Sequence, residues 1–129
     1  MNETILIVDD EMHILNGLKT ALQHFSYKPL TASSGAEALD ILSSEEVDLI
    51  IADINMPEID GKKILDAVKQ IEPNTPVIII TGVHVDEVQD LARKWGAADY
   101  LAKPFTPVEL AEKIKISLKI KEEKIREEI

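Results

Sequence analysis

Five short apolar runs separated by amphipathic stretches constrain this chain more than any other feature. They occupy residues 5–8, 28–32, 49–52, 77–81 and 99–101. The first, third and fourth are near-continuous Ile, Leu and Val, so both pleats of each strand must be covered. The second and fifth are weaker and suit sheet edges. Between the runs, apolar residues recur at helical spacing: Ile14, Leu15, Leu18, Leu22 and Phe25; Ala38, Leu39 and Leu42; Ile64, Leu65, Val68 and Ile71; Val88, Leu91, Ala92 and Trp95. Ser34 with Glu37, Asp86 with Gln89 and Thr106 with Glu109 have capping-box spacing or a close variant, and Pro107 sits at the favoured first helical position. Gly96 falls just past a helix, where a left-handed residue is wanted. Five strand–helix alternations predict an α/β chain with a parallel sheet and helices on both faces. At 129 residues the chain fits one domain with a real core.

What the chain lacks narrows its chemistry. It has no cysteine, hence no disulfide framework, thiolate metal site or cysteine nucleophile. No run of 18 apolar residues predicts a membrane span, and the start MNETILIVDDE does not read as a signal peptide, so a cytoplasmic location is expected. The net charge of −10 argues against direct nucleic-acid binding, which needs clustered Lys and Arg. No glycine-rich nucleotide motif occurs.

In open parallel sheets, ligands bind beyond the carboxyl ends of the strands. Strand one ends in Asp9, Asp10 and Glu11, strand three in Asp53, and strand four in Thr81 and Gly82; Lys103 and Pro104 follow strand five. All these groups converge on one edge. Two carboxylates about 5 Å apart repel by roughly 3 kcal/mol at an effective dielectric of about 20. A hard cation would relieve that, and an oxygen-only ligand set favours Mg²⁺, with Mn²⁺ as a substitute. A metal, the Lys103 ammonium and the Thr81 hydroxyl are the groups that stabilise a phosphoryl group in transfer, and an aspartate carboxylate is a competent nucleophile for it.

The segments ILIVDDE, LIIADINMPEIDG, VIIITG and DYLAKPF resemble the receiver domain of two-component response regulators over roughly residues 4–118. The resemblance implies a three-layer, doubly wound (βα)5 flavodoxin-like fold with strand order 2-1-3-4-5. It implies Asp53 as phosphoacceptor and a Mg²⁺ site formed by Asp9, Asp10, Asp53 and the backbone carbonyl of Asn55. Thr81 and Lys103 would contact the phosphoryl group, Lys103–Pro104 would be a cis peptide, and Thr81 with Tyr100 would form a switch. Gly82 matches the small residue that leaves the site accessible. The apolar Val83 offers no group to position water, which favours slow self-dephosphorylation. The implied partners are a histidine kinase or phosphotransfer protein, and an output domain or target facing helix four, strand five and helix five. Beyond phosphotransfer to itself and slow hydrolysis, no enzyme activity is expected.

Two rivals conflict with particular residues. A haloacid-dehalogenase-type phosphohydrolase needs a second Asp two residues after the nucleophile, where this chain has Asn55; a flavodoxin-type loop must hold a flavin phosphate, which Asp9, Asp10 and Glu11 would repel. His13, His24 and His84 read as surface residues, and Trp95 as core. Residues 1–118 form the expected receiver domain and 119–129 an extension of the last helix. The run IKISLKIK alternates like a strand, yet the Thr106–Glu109 start signal favours a helix. On that helix Ile114, Leu118, Ile125 and Ile129 share one side, while Ile116 and Ile120 point elsewhere. The extension would be a linker, or the start of a coiled coil pairing two copies as a homodimer.

Overall fold

A computed structural model describes residues 2–53, 61–82 and 85–128. Ten elements alternate: β1 (Thr4–Val8), α1 (Met12–His24), β2 (Lys28–Ala32), α2 (Gly35–Ser44), β3 (Leu49–Asp53), α3 (Gly61–Ile71), β4 (Val77–Thr81), α4 (Val85–Trp95), β5 (Asp99–Ala102) and α5 (Pro107–Glu128). The strands form one parallel sheet in the order β2-β1-β3-β4-β5, as expected. The two weaker apolar runs are its edges. The three Ile- and Leu-rich ones are its centre, where β3 and β4 are buried along their whole length.

Alternation along the strands divides the core into two layers. Leu6, Val8, Ile50 and Ala52 pack against Ala38 and Leu42 of α2 and Ile64, Leu65 and Val68 of α3. Ile5, Ile7, Leu49, Ile51, Ile78 and Ile80 pack on the other face against Leu15, Leu18 and Leu22 of α1 and Leu110 and Ile114 of α5. Ile79 carries a smaller cluster with Ala92 of α4, joined by half-buried Trp95 and Tyr100. Each fully buried Ile or Leu contributes about 1.5–3 kcal/mol, which makes this double layer the main source of stability.

Most start signals work as expected. Ser34 Oγ accepts from the Glu37 N–H at 3.1 Å and Thr106 Oγ1 from the Glu109 N–H at 3.1 Å. The Glu37 carboxylate, however, receives the Ser33 hydroxyl at 3.2 Å. Asp86 is a correction: α4 begins at Val85, so Asp86 lies inside the helix and not before it. Ile71 is another, since it ends α3 at 47% exposure, where the helix overruns the core. Gly96 adopts φ +76, as its position past α4 required.

The IKISLKIK run is helical throughout. With 22 residues, α5 is about 33 Å long, far longer than the strands it runs antiparallel to. Its first half buries Leu110, Ile114 and Ser117; Ile116, Ile120 and Ile125 are exposed, and Ile125 lines the same surface pocket as Leu118, on the side its spacing gave it. Ile129 lies outside the described residues. No described helix is long and apolar enough to cross a membrane.

Candidate functional site

Strand register assembles the site. β1 pairs with β3 so that Val8 faces Ala52, and one step further Asp9 and Asp53 leave the carboxyl edge side by side. β3 pairs Asp53 with Ile80, which puts Thr81 just beyond it, and Thr81 pairs with Ala102, the residue before Lys103. The Lys103 N–H donates to the Thr81 carbonyl at 2.7 Å and holds the two strand ends together. The Lys103–Pro104 peptide is cis. Five chemistry-bearing residues thus meet because four parallel strands stop at the same level.

Burial makes their charges matter. Asp9 and Thr81 are fully buried and Asp53 is 5% exposed, whereas Asp10 is exposed. Lys103 Nζ donates to Asp53 Oδ2 at 3.1 Å and stands 3.6 Å from Asp9 Oδ2. Asp9 Oδ1 accepts from the Glu11 N–H at 3.0 Å, but its buried Oδ2 has no hydrogen-bond partner. At 3.6 Å the ammonium attracts that oxygen without a true hydrogen bond. Burial raises the Asp9 carboxyl above its usual range, the Glu11 N–H and Lys103 oppose this, and Asp53 and Asp10 add to it. Burial alone would lower the Lys103 ammonium, but the hydrogen bond and charge of Asp53, with Asp9 and Glu11, outweigh it and raise the group.

One carboxylate oxygen from each of Asp9, Asp10 and Asp53 lies within 4.8 Å of the others. Among the described residues, an oxygen-only donor set with one orphaned buried oxygen and a single compensating lysine fits a hard divalent cation such as Mg²⁺. Asn55, expected to complete the set, and Val83 lie outside the described residues, as does His84. Gly82 is exposed, and a Cβ there would meet nothing within 4 Å among the described residues.

The chain matches the family described as response regulator receiver domain over residues 5–115. It belongs to that family. Sporulation initiation phosphotransferase F of Bacillus subtilis is 38% identical over 94% of this receiver chain and 98% of its own length. The alkaline phosphatase synthesis transcriptional regulatory protein PhoP of the same organism is 35% identical over 92% of the chain. The chain spans about half the length of PhoP and of several other curated relatives it matches. Among solved structures, a CheY-like receiver domain protein from Methanospirillum hungatei superposes with a TM-score of 0.88 at 31% identity, over 96% of this chain and 99% of that one. A receiver domain from Clostridium thermocellum gives 0.86 at 38% identity, over 93% and 97%. Receiver domains are signalling modules that work as phosphoacceptors in two-component systems, facing histidine kinases and output domains.

Tyr100 lies on β5 as the register partner of Ile79, half-buried on the same face of the sheet as Thr81 and packed toward Ala92 of α4. Sequence reasoning missed its other neighbour. Lys113 of α5 sits 5.4 Å from the Tyr100 ring centroid and donates to Asp99 Oδ1 at 3.0 Å. No local pattern links residues thirteen apart on different elements, so only the docked helix brings this pair together. His13 and His24 are exposed, as expected; Trp95 packs against the core, also as expected.

Proposed function

We propose that Asp53 is the phosphoacceptor of this receiver domain and that Asp9, Asp10 and Asp53, with the Asn55 carbonyl, hold Mg²⁺. The observation that carries this reading is the carboxyl-edge cluster: Asp9, Asp10 and Asp53 each with a carboxylate oxygen within 4.8 Å of the others, a buried unsatisfied Oδ2 on Asp9, and a lysine already on Asp53. When bound, the metal supplies positive charge beside the oxygens of the incoming phosphoryl group. An Asp53 carboxylate oxygen attacks phosphorus as the bond to the donor, a phosphohistidine nitrogen or acetyl phosphate oxygen, breaks, and an acyl phosphate forms. Lys103 transfers its hydrogen bond from the carboxylate to a phosphoryl oxygen. The Thr81 hydroxyl meets a second oxygen, and the shift of Thr81 opens room on the shared β4–β5 face for Tyr100 to turn inward. This alters the surface of α4, β5 and α5, the type of bistable packing that converts a local charge into a partner signal.

The same reading assigns residues 1–118 to the receiver and 119–129 to a helical extension, since the buried positions of α5 end near Leu118. Its cognate partners are a histidine kinase or phosphotransfer protein on one side and an output domain or target on the other, in the cytoplasm. Incubation with acetyl phosphate and Mg²⁺ should add one phosphoryl mass to the wild-type chain and none to Asp53→Asn. Persistent labelling of that variant would overturn the acceptor assignment.

A further inference from the structure

The amino edge of the sheet, opposite Asp53, carries a second charged site of inverted sign. A cavity of about 300 Å³ lies between the turn before β4, the turn before β5 and the distal half of α5. That volume is at the lower end for small-molecule sites. Lys69, Lys121 and Lys124 line it, and among the described residues no Asp or Glu does, although the chain has 24 acidic residues against 14 basic ones. Of the three, only Lys121 has a carboxylate near it, Asp48 Oδ1 at 3.9 Å. Lys69 Nζ donates to the Trp95 carbonyl at 2.6 Å, which leaves two of its three N–H groups, and no ion pair is formed by Lys69 or Lys124 among the described residues.

A second observation is independent of these charges. Ser117, only 4% exposed, lines the same cavity; its hydroxyl makes no hydrogen bond among the described residues and is not sealed in the core, so the little surface it keeps is open to the cavity. A hydroxyl facing a cavity without a protein partner is free to bond whatever occupies that cavity. The mid-helix place of Ser117 does not explain the missing bond, since Thr20 in α1 satisfies its hydroxyl on the carbonyl four residues back.

We propose that this cavity is a binding site for a small anion of the phosphate class, held by Lys69, Lys124 and the Ser117 hydroxyl, with Lys121 completing the cationic wall. A phosphate group supplies acceptor oxygens for each ammonium and for the serine, while Leu65, Val77 and Ile120 leave apolar space for a short organic substituent. The α5 wall consists of Ser117, Ile120, Lys121 and Lys124, all beyond the residues 5–115 matched by the family. The site is therefore shared: Lys69 and the turns before β4 and β5 come from the matched receiver region, and the α5 wall from beyond it. Because Lys69 also caps the end of α4 through Trp95, occupancy would bear directly on the helix that follows Thr81.

The test is an amide-resolved NMR titration of the full chain with sodium phosphate, in EDTA, against sodium chloride at equal ionic strength. Saturable shifts at Thr75, Ala97, Ala98 and Ser117 are expected with phosphate alone. Lys124→Gln, at an exposed position, and Lys69→Gln, which can still donate to the Trp95 carbonyl, should each weaken the binding about tenfold or more. Shifts confined to Asp53, Thr81 and Lys103 would assign the anion to the acceptor site and overturn the proposal. So would shifts matched by chloride, or an affinity unchanged in both variants.

Discussion

The two edges of the sheet solve opposite electrostatic problems. At the carboxyl edge, strand register forces Asp9 and Asp53 together in burial with Lys103 as the cation between them, and one Asp9 oxygen stays unsatisfied. At the amino edge, lysines meet backbone carbonyls: Lys69 caps α4 at Trp95, and Lys121 reaches the Asp48 carbonyl at 3.2 Å. The Asp48 carboxylate in turn accepts the Thr4 N–H at 2.7 Å, tying β1 to the loop before β3. The carboxyl edge is left with repulsion that a bound cation would relieve, whereas at the amino edge Lys69 and Lys121 already tie elements together through backbone carbonyls. The proposed phosphoacceptor site is thus the place where the described fold is least satisfied.

The sharpest way to break this contrast is to remove the cation from the carboxyl edge. Lys103→Ala should slow acetyl phosphate labelling by roughly 10²-fold, as loss of one preorganised donor to a developing anion does. It should also cost on the order of 3 kcal/mol in metal-free chemical denaturation, because two buried carboxylates lose their counter-charge. A variant as stable as wild type would mean that the edge was never electrostatically strained.

Mg²⁺ should act in the opposite direction. A cation at about 100 times its Kd stabilises the folded state by about 2.7 kcal/mol, so the wild-type melting temperature should rise with Mg²⁺. In Asp9→Asn that rise should be largely lost, while the variant is itself no less stable without metal, because it removes a buried, partly unsatisfied charge. An undiminished Mg²⁺ response in Asp9→Asn would remove Asp9 from the metal site.

A smaller effect is expected at the amino edge. Gly96→Ala forces an L side chain into φ +76 at a cost of about 1–2 kcal/mol. Its Cβ would also meet Lys69 Nζ, which must then leave the Trp95 carbonyl. Labelling at Asp53 should be unchanged in rate. If it slows as much as in Lys103→Ala, the two edges are coupled through α4 far more strongly than the packing suggests.

These contrasts explain what could be read before the structure. The edge strands and the convergence of Asp9, Asp10, Asp53, Thr81 and Lys103 were legible because parallel strands end at one level, so strand-end position predicts the meeting; the sheet order came from the resemblance to receiver domains. The ends of elements were harder. Ser26 takes φ 66 after α1 with no glycine to mark it, and Asp86 mimics a cap while lying within α4. The contact of Lys113 with Tyr100 and the lysine-lined cavity were not legible at all, since both depend on where α5 lies against the sheet. A 22-residue helix fixes its own face spacing but not its docking angle or overhang.

The smallest expected effect tests that overhang. Ile116 is 55% exposed on α5, and Ile120 is 47% exposed one turn further on. If α5 stands alone, Ile116→Lys should change stability by no more than about 0.5 kcal/mol, since it severs no buried contact. If instead the extension pairs two copies, the variant should lower the sedimentation coefficient at high concentration and leave dilute stability unchanged. Truncation after Leu118 should reproduce that change, because it removes the rest of the overhang. Equal monomeric sedimentation of all three chains would leave the exposed isoleucines to an output segment and not to self-pairing. Either result separates the receiver, whose buried contacts end near Leu118, from a helix that continues past them for a reason the core does not supply.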